Sequence, residues 1–574
     1  MSKVIELKYR PIAIALFLII LCSSIVVSSH SHSNKGVRVS GEDSEDIYGR
    51  MAVVIVLDAL NYTVLEKLNA SGDIPNIQYL MKNGIYVMGR TIIPSATTAA
   101  WTAIATGAPP EINGVVNTYA INATEYHNML IDEEPVSVSY SDMIKAETIV
   151  EVANREGVKV GFLYTEKKVS IACGKTGIPS VSYYYSEPFD AYDSSLPIET
   201  RIKYVEELFN KSMSMIDSLA ADVRTGGKAL MIIDLPEPDA SGHTHGPASS
   251  YYEDMIKAID TQIGRLIDYL ESSGLWNKTL LFFFTDHSML QVDPDLRILD
   301  SPNHIVGLPL EHEVVGIGTL AYIYLKYPDE IEEAVSYLKE REWVEGIWTR
   351  TPVNGTNGTL SDILLNSSLA GDIVISIKKP YYVYTFSSKG AHGGINTRDI
   401  PLIISGGMVN TSASLSSFEI IDIAPTLSEF LGMDPPKNAT GHDLKVYKNY
   451  ADVSMSVDPG IAEPGETISI SVNYTLGIVE EDIQMQISVN TENQTVYEDS
   501  YPITSISGTI DTAIILDHQG EFQVYVKITK NNDILGGAVS KVLVIKISKE
   551  KPMAPIIGSA ILAIVFGIGI IAKP

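Results

Sequence analysis

The stretch MAVVIVLD, residues 51–58, places seven apolar residues directly before an aspartate. The stretch LLFFFTDH, residues 280–287, has the same arrangement, because its apolar run ends in Asp286 and His287. Short continuous apolar runs are typical of strands buried on both faces of a sheet. Each of these two strands is therefore followed by side chains that can bind a metal ion.

Further runs of this kind alternate with helical periodicity between residues 50 and 444. The strand-like runs are VKVGFLY (158–164), ALMIID (229–234) and PLIIS (401–405), and the helical ones include residues 251–274 and 421–432. The alternation predicts an α/β fold, with a mostly parallel sheet covered by helices on both faces. Ligands of such sheets gather at the carboxyl ends of the strands, so Asp58, Asp239 and Asp286 should converge there.

Two other regions depart from this pattern. Residues 301–384 are acidic and contain glycines and sequons, which indicates a cap or insertion over the site that influences substrate choice. Residues 450–548 form short alternating strands separated by turn signals, with no helical period. This pattern of short strands and turns predicts an immunoglobulin-like β-sandwich that serves as a stalk.

The two ends of the chain predict export and anchoring. Residues 1–29 resemble a signal peptide, with basic residues before an apolar run. Residues 553–572 are apolar over the length that a transmembrane helix requires. Twelve N-x-S/T sequons fit a glycosylated protein. We therefore expect a single-pass membrane protein in which residues 50–444 are extracellular.

Charge and cysteine content exclude other classes of protein. The formal net charge of -28 would repel long DNA or RNA. Only Cys22 and Cys173 are present, and Cys22 lies in the predicted signal peptide, so the mature chain cannot form a disulfide framework.

The remaining candidate site residues lie in segments rich in small residues. Thr97 precedes TAAWTAIATG, so its hydroxyl is expected near a helix N-terminus, where an anion such as phosphate is stabilised. Asp239 and His243 are separated by sequence that contains glycine, next to prolines, which indicates a loop rather than one helical face. His392 lies in GAHGG, where the small residues allow the backbone to approach an ion closely.

In this order along the chain, these residues resemble the alkaline phosphatase superfamily, and in particular its type I phosphodiesterase and nucleotide pyrophosphatase branch. The resemblance covers about residues 51–444. It includes TGAPPEING at residues 106–114, EPDASGHTHGP at residues 237–247 and DIAPT at residues 422–426.

The resemblance implies a site with two divalent metal ions. One ion would be held by Asp239, His243 and His392, and the other by the following four residues: Asp58, Thr97, Asp286 and His287. Mixed imidazole and carboxylate ligands favour zinc, with manganese or iron as alternatives. Thr97 would be the nucleophile that forms a phospho-threonine intermediate, since coordination lowers the pKa of a hydroxyl.

The resemblance also implies a substrate-binding amide near Asn117, although the alignment there is offset by one residue. The expected substrate is a small phosphoester, either nucleotide-like or a lipid head group. The chain departs from the branch at Ala99 and Ala100, where a Pro-Asn pair is common, so substrate geometry is less constrained than metal binding.

Three alternatives to a phosphodiesterase use the same site: a phosphomonoesterase, a phosphonate hydrolase or a phospho-group transferase. A fourth belongs to another class, a non-catalytic surface protein that binds ligands or has a structural role. Intact metal ligands count against this last alternative, because a degenerate module would be free to lose them.

Overall fold

The computed structural model describes residues 49–544, except for 129–136, 165–171, 173, 175–182, 187–195, 225, 302–303, 478–480, 492–493 and 531–532. The predicted signal peptide at 1–29 and the predicted transmembrane segment at 553–572 lie outside the described residues. Within the described part of the chain, no helix is long and apolar enough to cross a membrane.

A seven-stranded sheet lies at the centre of residues 50–444, called the catalytic region from the prediction above; the strand order is β2-β18-β8-β1-β7-β5-β6, with the bounds that follow. The strands of the region are β1 (Arg50–Leu57), β2 (Ile85–Arg90), β3 (Tyr119–Ile121), β4 (Ser137–Ser139), β5 (Lys159–Tyr164), β6 (Tyr183–Ser186), β7 (Lys228–Leu235), β8 (Thr279–Phe284), β9 (Leu290–Gln291), β10 (Leu299–Ser301), β11 (His304–Ile305), β12 (His312–Gly316), β13 (Leu320–Leu325), β14 (Val344–Thr349), β15 (Gly358–Thr359), β16 (Ile373–Ile377), β17 (Gly390–Ala391) and β18 (Asp399–Ser405).

The strands of the central sheet are parallel from β8 through β1, β7 and β5 to β6. At the other edge, β18 is antiparallel to both β8 and β2, so the sheet is mixed. The run PLIIS thus forms a strand as predicted but runs in the opposite direction, which its apolar pattern cannot encode. The carboxyl ends of β1, β7 and β8 lie side by side at one edge.

Helices cover both faces of the sheet, as the sequence predicts. The α-helices are Tyr62–Ser71, Pro75–Lys82, Thr97–Thr106, Pro110–Asn113, Ala123–Asn128, Tyr140–Met143, Ile149–Arg155, Ile198–Arg224, Glu237–His245, Ser250–Ser272, Ile331–Lys339 and Ile423–Phe430. Short 3-10 helices span Trp276–Lys278, Pro328–Glu330, Leu360–Ile363, Ser368–Ala370, Ile395–Thr397 and Ile420–Asp422.

The surroundings of strand β1 explain why its apolar run, residues 51–57, is continuous. Its alternate residues Ala52, Val54 and Val56 pack into a core that includes residues of the Thr97–Thr106 helix. The intervening residues, from Met51 to Leu57, pack into a second core with residues of the Ser250–Ser272 helix. Because the strand is buried on both sides, each residue from Met51 to Leu57 contributes apolar burial, at about 25 cal/mol per Å².

A second sheet lies within the predicted insertion at 301–384, with the order β12-β13-β16-β14-β15. One face packs against the segment around the Thr97–Thr106 helix, including Ile93, Ala96 and Val116. The hydroxyl of Tyr322 donates to the Val116 carbonyl at 2.9 Å, and the Thr319 N–H donates to the His392 carbonyl at 2.7 Å. The insertion therefore supports two segments that carry candidate site residues.

The C-terminal region contains β19 (Ala451–Asp458), β20 (Ile461–Ala462), β21 (Thr467–Leu476), β22 (Ile483–Asn490), β23 (Thr495–Pro502), β24 (Ser507–Ile515), β25 (Gly520–Lys530) and β26 (Asp533–Val544). They form a three-stranded and a five-stranded sheet, β19-β21-β24 and β20-β26-β25-β22-β23. Residues of both sheets share one hydrophobic cluster. The immunoglobulin-like classification and the stalk role remain predictions.

Candidate active site

Six side chains that could bind metal ions come from distant parts of the chain and form two groups at the carboxyl edge of the central sheet. Asp58, Asp286 and His287 form the first group, which is buried. Asp239, His243 and His392 form the second, and within each group the potential ligand atoms lie within 4.8 Å of one another. The His287 and His392 rings stack with centroids 4.0 Å apart, so the two groups are adjacent.

The first group depends on the parallel pairing of β1 with β7 and β8. His287 Nε2 lies 3.4 Å from Asp58 Oδ1 and 3.6 Å from Asp286 Oδ2. The Ala59 N–H donates to Asp286 Oδ1 at 3.2 Å, and the Leu60 N–H donates to the Thr285 hydroxyl at 3.0 Å. These bonds hold the turn after β1 against the end of β8.

Thr97 is the first residue of its helix and lies beside the first group. Its Oγ1 is 3.2 Å from His287 Nε2. The earliest bond of the helix runs from the Ala100 N–H to the Ala96 carbonyl at 2.9 Å, so the preceding amides point out of the helix end. Partial positive charge at this end favours an anion next to the Thr97 hydroxyl.

The DIAPT motif, residues 422–426, packs against the helix that begins at Thr97. Its helix, Ile423–Phe430, packs against Thr97–Thr106. Gly107 ends the Thr97–Thr106 helix with φ at +65°, and a Cβ there would lie 2.9 Å from Pro425 Cδ. This position requires glycine both for its backbone conformation and for close packing.

Asp239 and His243 lie on a helix, and the prediction of a loop is wrong. The helix spans Glu237–His245. Pro238 lies in its first turn, where no N–H bond is lost, and the Ser241 hydroxyl donates to the Glu237 carbonyl at 2.7 Å. Because the two residues are four apart, they share one helical face, with His243 Nε2 3.2 Å from Asp239 Oδ1.

Close packing of neighbouring segments explains why this helix contains a glycine, Gly242. A Cβ at Gly242 would collide with the Met289 sulfur. The backbone at Gly390 also lies close to the helix, since a Cβ on Gly390 would be 2.5 Å from the Gly242 carbonyl oxygen. Glycine therefore allows the helix to pack closely against the antiparallel pair of β9 and β17, which brings His392 Nε2 to 3.5 Å from Asp239 Oδ1.

Hydrogen bonds orient two of the imidazoles. His243 Nδ1 lies 2.9 Å from the Gly390 carbonyl oxygen, and His287 Nδ1 lies 3.1 Å from the Ser288 carbonyl oxygen. Because a carbonyl oxygen only accepts, each Nδ1 carries a proton and donates it. In the neutral ring, Nε2 then has its lone pair directed towards the carboxylates, as a metal ligand requires.

The three side chains of the second group have shifted pKa values. Burial and, to a smaller extent, the charge of the neighbouring His287 lower the pKa of His392 to about 4. Burial acts to raise the pKa of Asp239, but the charges and hydrogen bonds of His243 and His392 outweigh it and hold the pKa well below the usual value. Burial acts to lower the pKa of His243, whereas the Asp239 carboxylate produces a net increase.

Asn117 lies close to the helix that begins at Thr97. It is buried, and the hydroxyl of the next residue, Thr118, lies 2.7 Å from the Thr98 hydroxyl. The segment thus runs beside the start of that helix. Substrate binding by the Asn117 amide remains a prediction.

Comparison with known proteins identifies the family to which the sequence belongs. The model of the type I phosphodiesterase / nucleotide pyrophosphatase family matches residues 52–399. The chain belongs to that family. Human ectonucleotide pyrophosphatase/phosphodiesterase family member 1 is 28% identical over 231 residues, which are 38% of this chain and 22% of the relative. Human bis(5'-adenosyl)-triphosphatase is 26% identical over 274 residues, 45% of this chain and 54% of that protein. The matches thus span about a fifth and about half of these relatives.

Solved structures of the family share the fold. Human ectonucleotide pyrophosphatase/phosphodiesterase 5 has a TM-score of 0.52 at 18% identity, covering 69% of this chain and 99% of that one. An inactive variant of the murine protein in complex with AMP has a TM-score of 0.50 at 18% identity, covering 70% and 100%.

Sequence reasoning missed several side chains beside the two candidate metal-binding groups. The Ser388 hydroxyl lies 3.0 Å from His243 Nδ1. Tyr252 accepts from the Asn61 N–H and donates to the Ala59 carbonyl, both at 2.8 Å, which fixes the turn after Asp58. Tyr384 also lies against His243. None of these belongs to a motif, and only their position in the fold identifies them.

Proposed function

We propose that this protein hydrolyses phosphodiester or pyrophosphate bonds at a two-metal site, with Thr97 as the nucleophile. The observation that supports this proposal most strongly is the position of the Thr97 hydroxyl, 3.2 Å from His287 Nε2 and at the start of a helix. A phosphoryl group at this helix end would meet the attacking oxygen and the outward-pointing amides together. Attack by Thr97 Oγ1 on phosphorus would form a phospho-threonine as the P–O bond to the leaving group breaks and that group departs; water would then hydrolyse the phospho-threonine and regenerate the hydroxyl.

The donor set suits two divalent ions. Asp239, His243 and His392 would hold one ion; Asp58, Thr97, Asp286 and His287 would hold the other. The directed Nε2 lone pairs and the carboxylates supply the ligand types that zinc prefers, with manganese or iron as the alternatives for metal analysis to distinguish. When bound, the ions would lower the pKa of the nucleophile and stabilise charge on phosphoryl oxygens.

We propose a small phosphoester as the substrate. The AMP bound to the murine relative and the triphosphatase named among the human relatives favour a nucleotide-like substrate, with a lipid head group as the alternative. We also propose that the protein is glycosylated and faces outside the cell, because residues 1–29, residues 553–572 and the twelve sequons have the sequence features of export and anchoring.

Replacement of the nucleophile tests the proposal. We expect Thr97→Ala to lower the rate of bis(p-nitrophenyl) phosphate hydrolysis by roughly 1000-fold or more, because the attacking group is removed. Chelation should abolish wild-type activity, and zinc should restore it. As a control, Thr106→Ala removes a hydroxyl from the other end of the same helix and should cause no comparable loss.

The result that would contradict the proposal is an equal rate for wild type and Thr97→Ala. Parallel assays with p-nitrophenyl phosphate separate the alternatives. Faster hydrolysis of that monoester would favour a phosphomonoesterase. No hydrolysis of either ester by metal-loaded protein would favour a non-catalytic binding role.

A further inference from the structure

Two aromatic side chains lie next to the second metal-binding group. The Tyr384 and Phe386 rings are stacked, with centroids 4.7 Å apart and an interplanar angle of 11°. Both meet His243 edge-on, at centroid distances of 5.3 Å for Tyr384 and 6.1 Å for Phe386. This pair therefore extends outward from a metal-binding imidazole.

The two rings differ greatly in exposure. Tyr384 is 9% exposed, whereas Phe386 is 52% exposed. The stack thus has an inner ring against the site and an outer ring with a face open to solvent. An exposed phenylalanine beside a polar site gains little from folding, so a role in binding apolar or planar groups explains its position better than core packing.

The loop that carries the pair is held in place on both sides. The Val383 N–H donates to the Gly318 carbonyl of the insertion at 2.7 Å. The Lys389 N–H donates to the His243 carbonyl at 2.9 Å. Because both ends of the loop are anchored, the rings have little conformational entropy to lose when a ligand stacks on them.

The position of the pair relative to Thr97 indicates what it would bind. In an in-line displacement, the attacking and leaving oxygens lie on opposite sides of phosphorus. Thr97 lies beside His287 of the first group, so the leaving oxygen would point towards the second group. The aromatic pair lies against His243 of that second group, on the leaving-group side.

We propose that Phe386, supported by Tyr384, is a stacking platform for the base of a nucleoside attached through the leaving oxygen. The Phe386 and His243 ring centroids are 6.1 Å apart, so the platform adjoins the second group without being part of it. The assignment rests on the proposed function and adds that the leaving group, as well as the transferred nucleotide, is recognised. Phe386 then determines specificity and takes no part in the bond changes.

Two phosphodiesters that differ only in the leaving group test this proposal. A thymidine dinucleotide releases a nucleoside, and thymidine 5'-methyl phosphate releases methanol. Because the base loses its stacking partner, Phe386→Ala should lower kcat/KM for the dinucleotide by about 10-fold. The loss for the methyl ester should be at most about twofold, because it has no base to stack.

Matched variants separate stacking from general apolar contact. Phe386→Trp should restore the dinucleotide rate, whereas Phe386→Leu should remain impaired. Equal losses for the two esters, or no loss for the dinucleotide, would overturn the stacking platform while leaving the proposed function intact. A metal-loaded wild type that hydrolyses neither ester would overturn the proposed function and the platform with it.

Discussion

The two ends of strand β1 carry opposite charges and have different surroundings. At its start, Arg50 donates to both oxygens of Asp452, at 2.7 and 3.1 Å, and Lys228 donates to the same carboxylate at 2.8 Å. The Arg50 guanidinium also lies 3.6 Å from the Tyr450 ring centroid. After its end, Asp58 joins a cluster of carboxylates and imidazoles.

The difference separates a structural charge cluster from a functional one. The Arg50–Asp452 pair joins β1 to β19, with a cation, an anion and an aromatic ring that satisfy one another. The cluster at the other end brings like charges together, which costs free energy unless protons or metal ions compensate. We therefore expect changes at the start of β1 to affect stability and changes at its end to affect catalysis.

The largest expected effect is at the carboxyl end. Asp58→Asn keeps the shape of the side chain but removes a ligand charge, so hydrolysis should fall by roughly 1000-fold, equivalent to the several kcal/mol that a metal ion contributes. The free energy of unfolding of metal-free protein should stay the same or rise, because like-charge repulsion decreases. Phosphodiester kinetics, metal analysis and urea denaturation check the three outcomes.

A matched control is Asp399→Asn, which removes an exposed carboxylate from β18 of the same sheet. It should leave activity and metal content unchanged. Retention of two metal ions and of normal activity in Asp58→Asn would remove the distinction between the two ends.

An intermediate effect is expected at the start of β1. Asp452→Asn leaves Arg50, which is 3% exposed, without its anion. Because the Asp452 side chain is 30% exposed, we expect a loss of about 1–3 kcal/mol rather than the cost of a fully buried pair. Activity at temperatures below unfolding should not change.

Tryptophan fluorescence during urea denaturation measures this loss in the catalytic region, which contains all four tryptophans. The control is Asp458→Asn, an exposed carboxylate at the end of the same strand β19. If both variants have the same unfolding free energy as wild type, the Arg50–Asp452 contact does not stabilise the protein.

The smallest expected effect is the pH dependence of the free energy of unfolding that the Arg50–Asp452 contact contributes. Burial acts to raise the pKa of Asp452, but the charge of Arg50 outweighs it, and the net shift is downward from 3.8. A lowered pKa in the folded state adds stability above the ordinary value, and this stability is lost as pH falls through the folded value.

The difference in unfolding free energy between wild type and Asp452→Asn should therefore be constant near neutral pH and shrink below pH 3.8. Denaturation curves at several pH values measure it. A difference that grows as pH falls would show that the carboxylate is not stabilised by its cationic neighbours.

Local patterns in the sequence predicted the strands well and the helix at Asp239 poorly. The runs before Asp58 and Asp286 are continuous because both faces of each strand are buried, which is a property of neighbouring residues. Pro238 and Gly242 resemble loop signals, yet one lies where a helix tolerates proline and the other where a neighbouring chain requires glycine. The requirement for glycine at Gly242 comes from tertiary packing, which neighbouring residues in the sequence do not reveal.

The direction of β18 and the aromatic pair at Tyr384 and Phe386 also escaped prediction. An apolar run has the same pattern in a parallel and an antiparallel strand, so PLIIS could not reveal its direction. Two aromatic residues in a loop carry no period at all. Their significance depends on His243, which lies more than a hundred residues away in the sequence.

By itself, the sequence determined which side chains follow each apolar run, and hence the family and the type of chemistry. Strand formation depends on burial patterns within a few residues, and these can be read directly. Only the tertiary structure decided that Thr97 lies 3.2 Å from His287 and that the six candidate metal ligands divide into two groups. Such distances are set by the packing of helices and sheets, which sums many weak contacts between residues far apart in the chain.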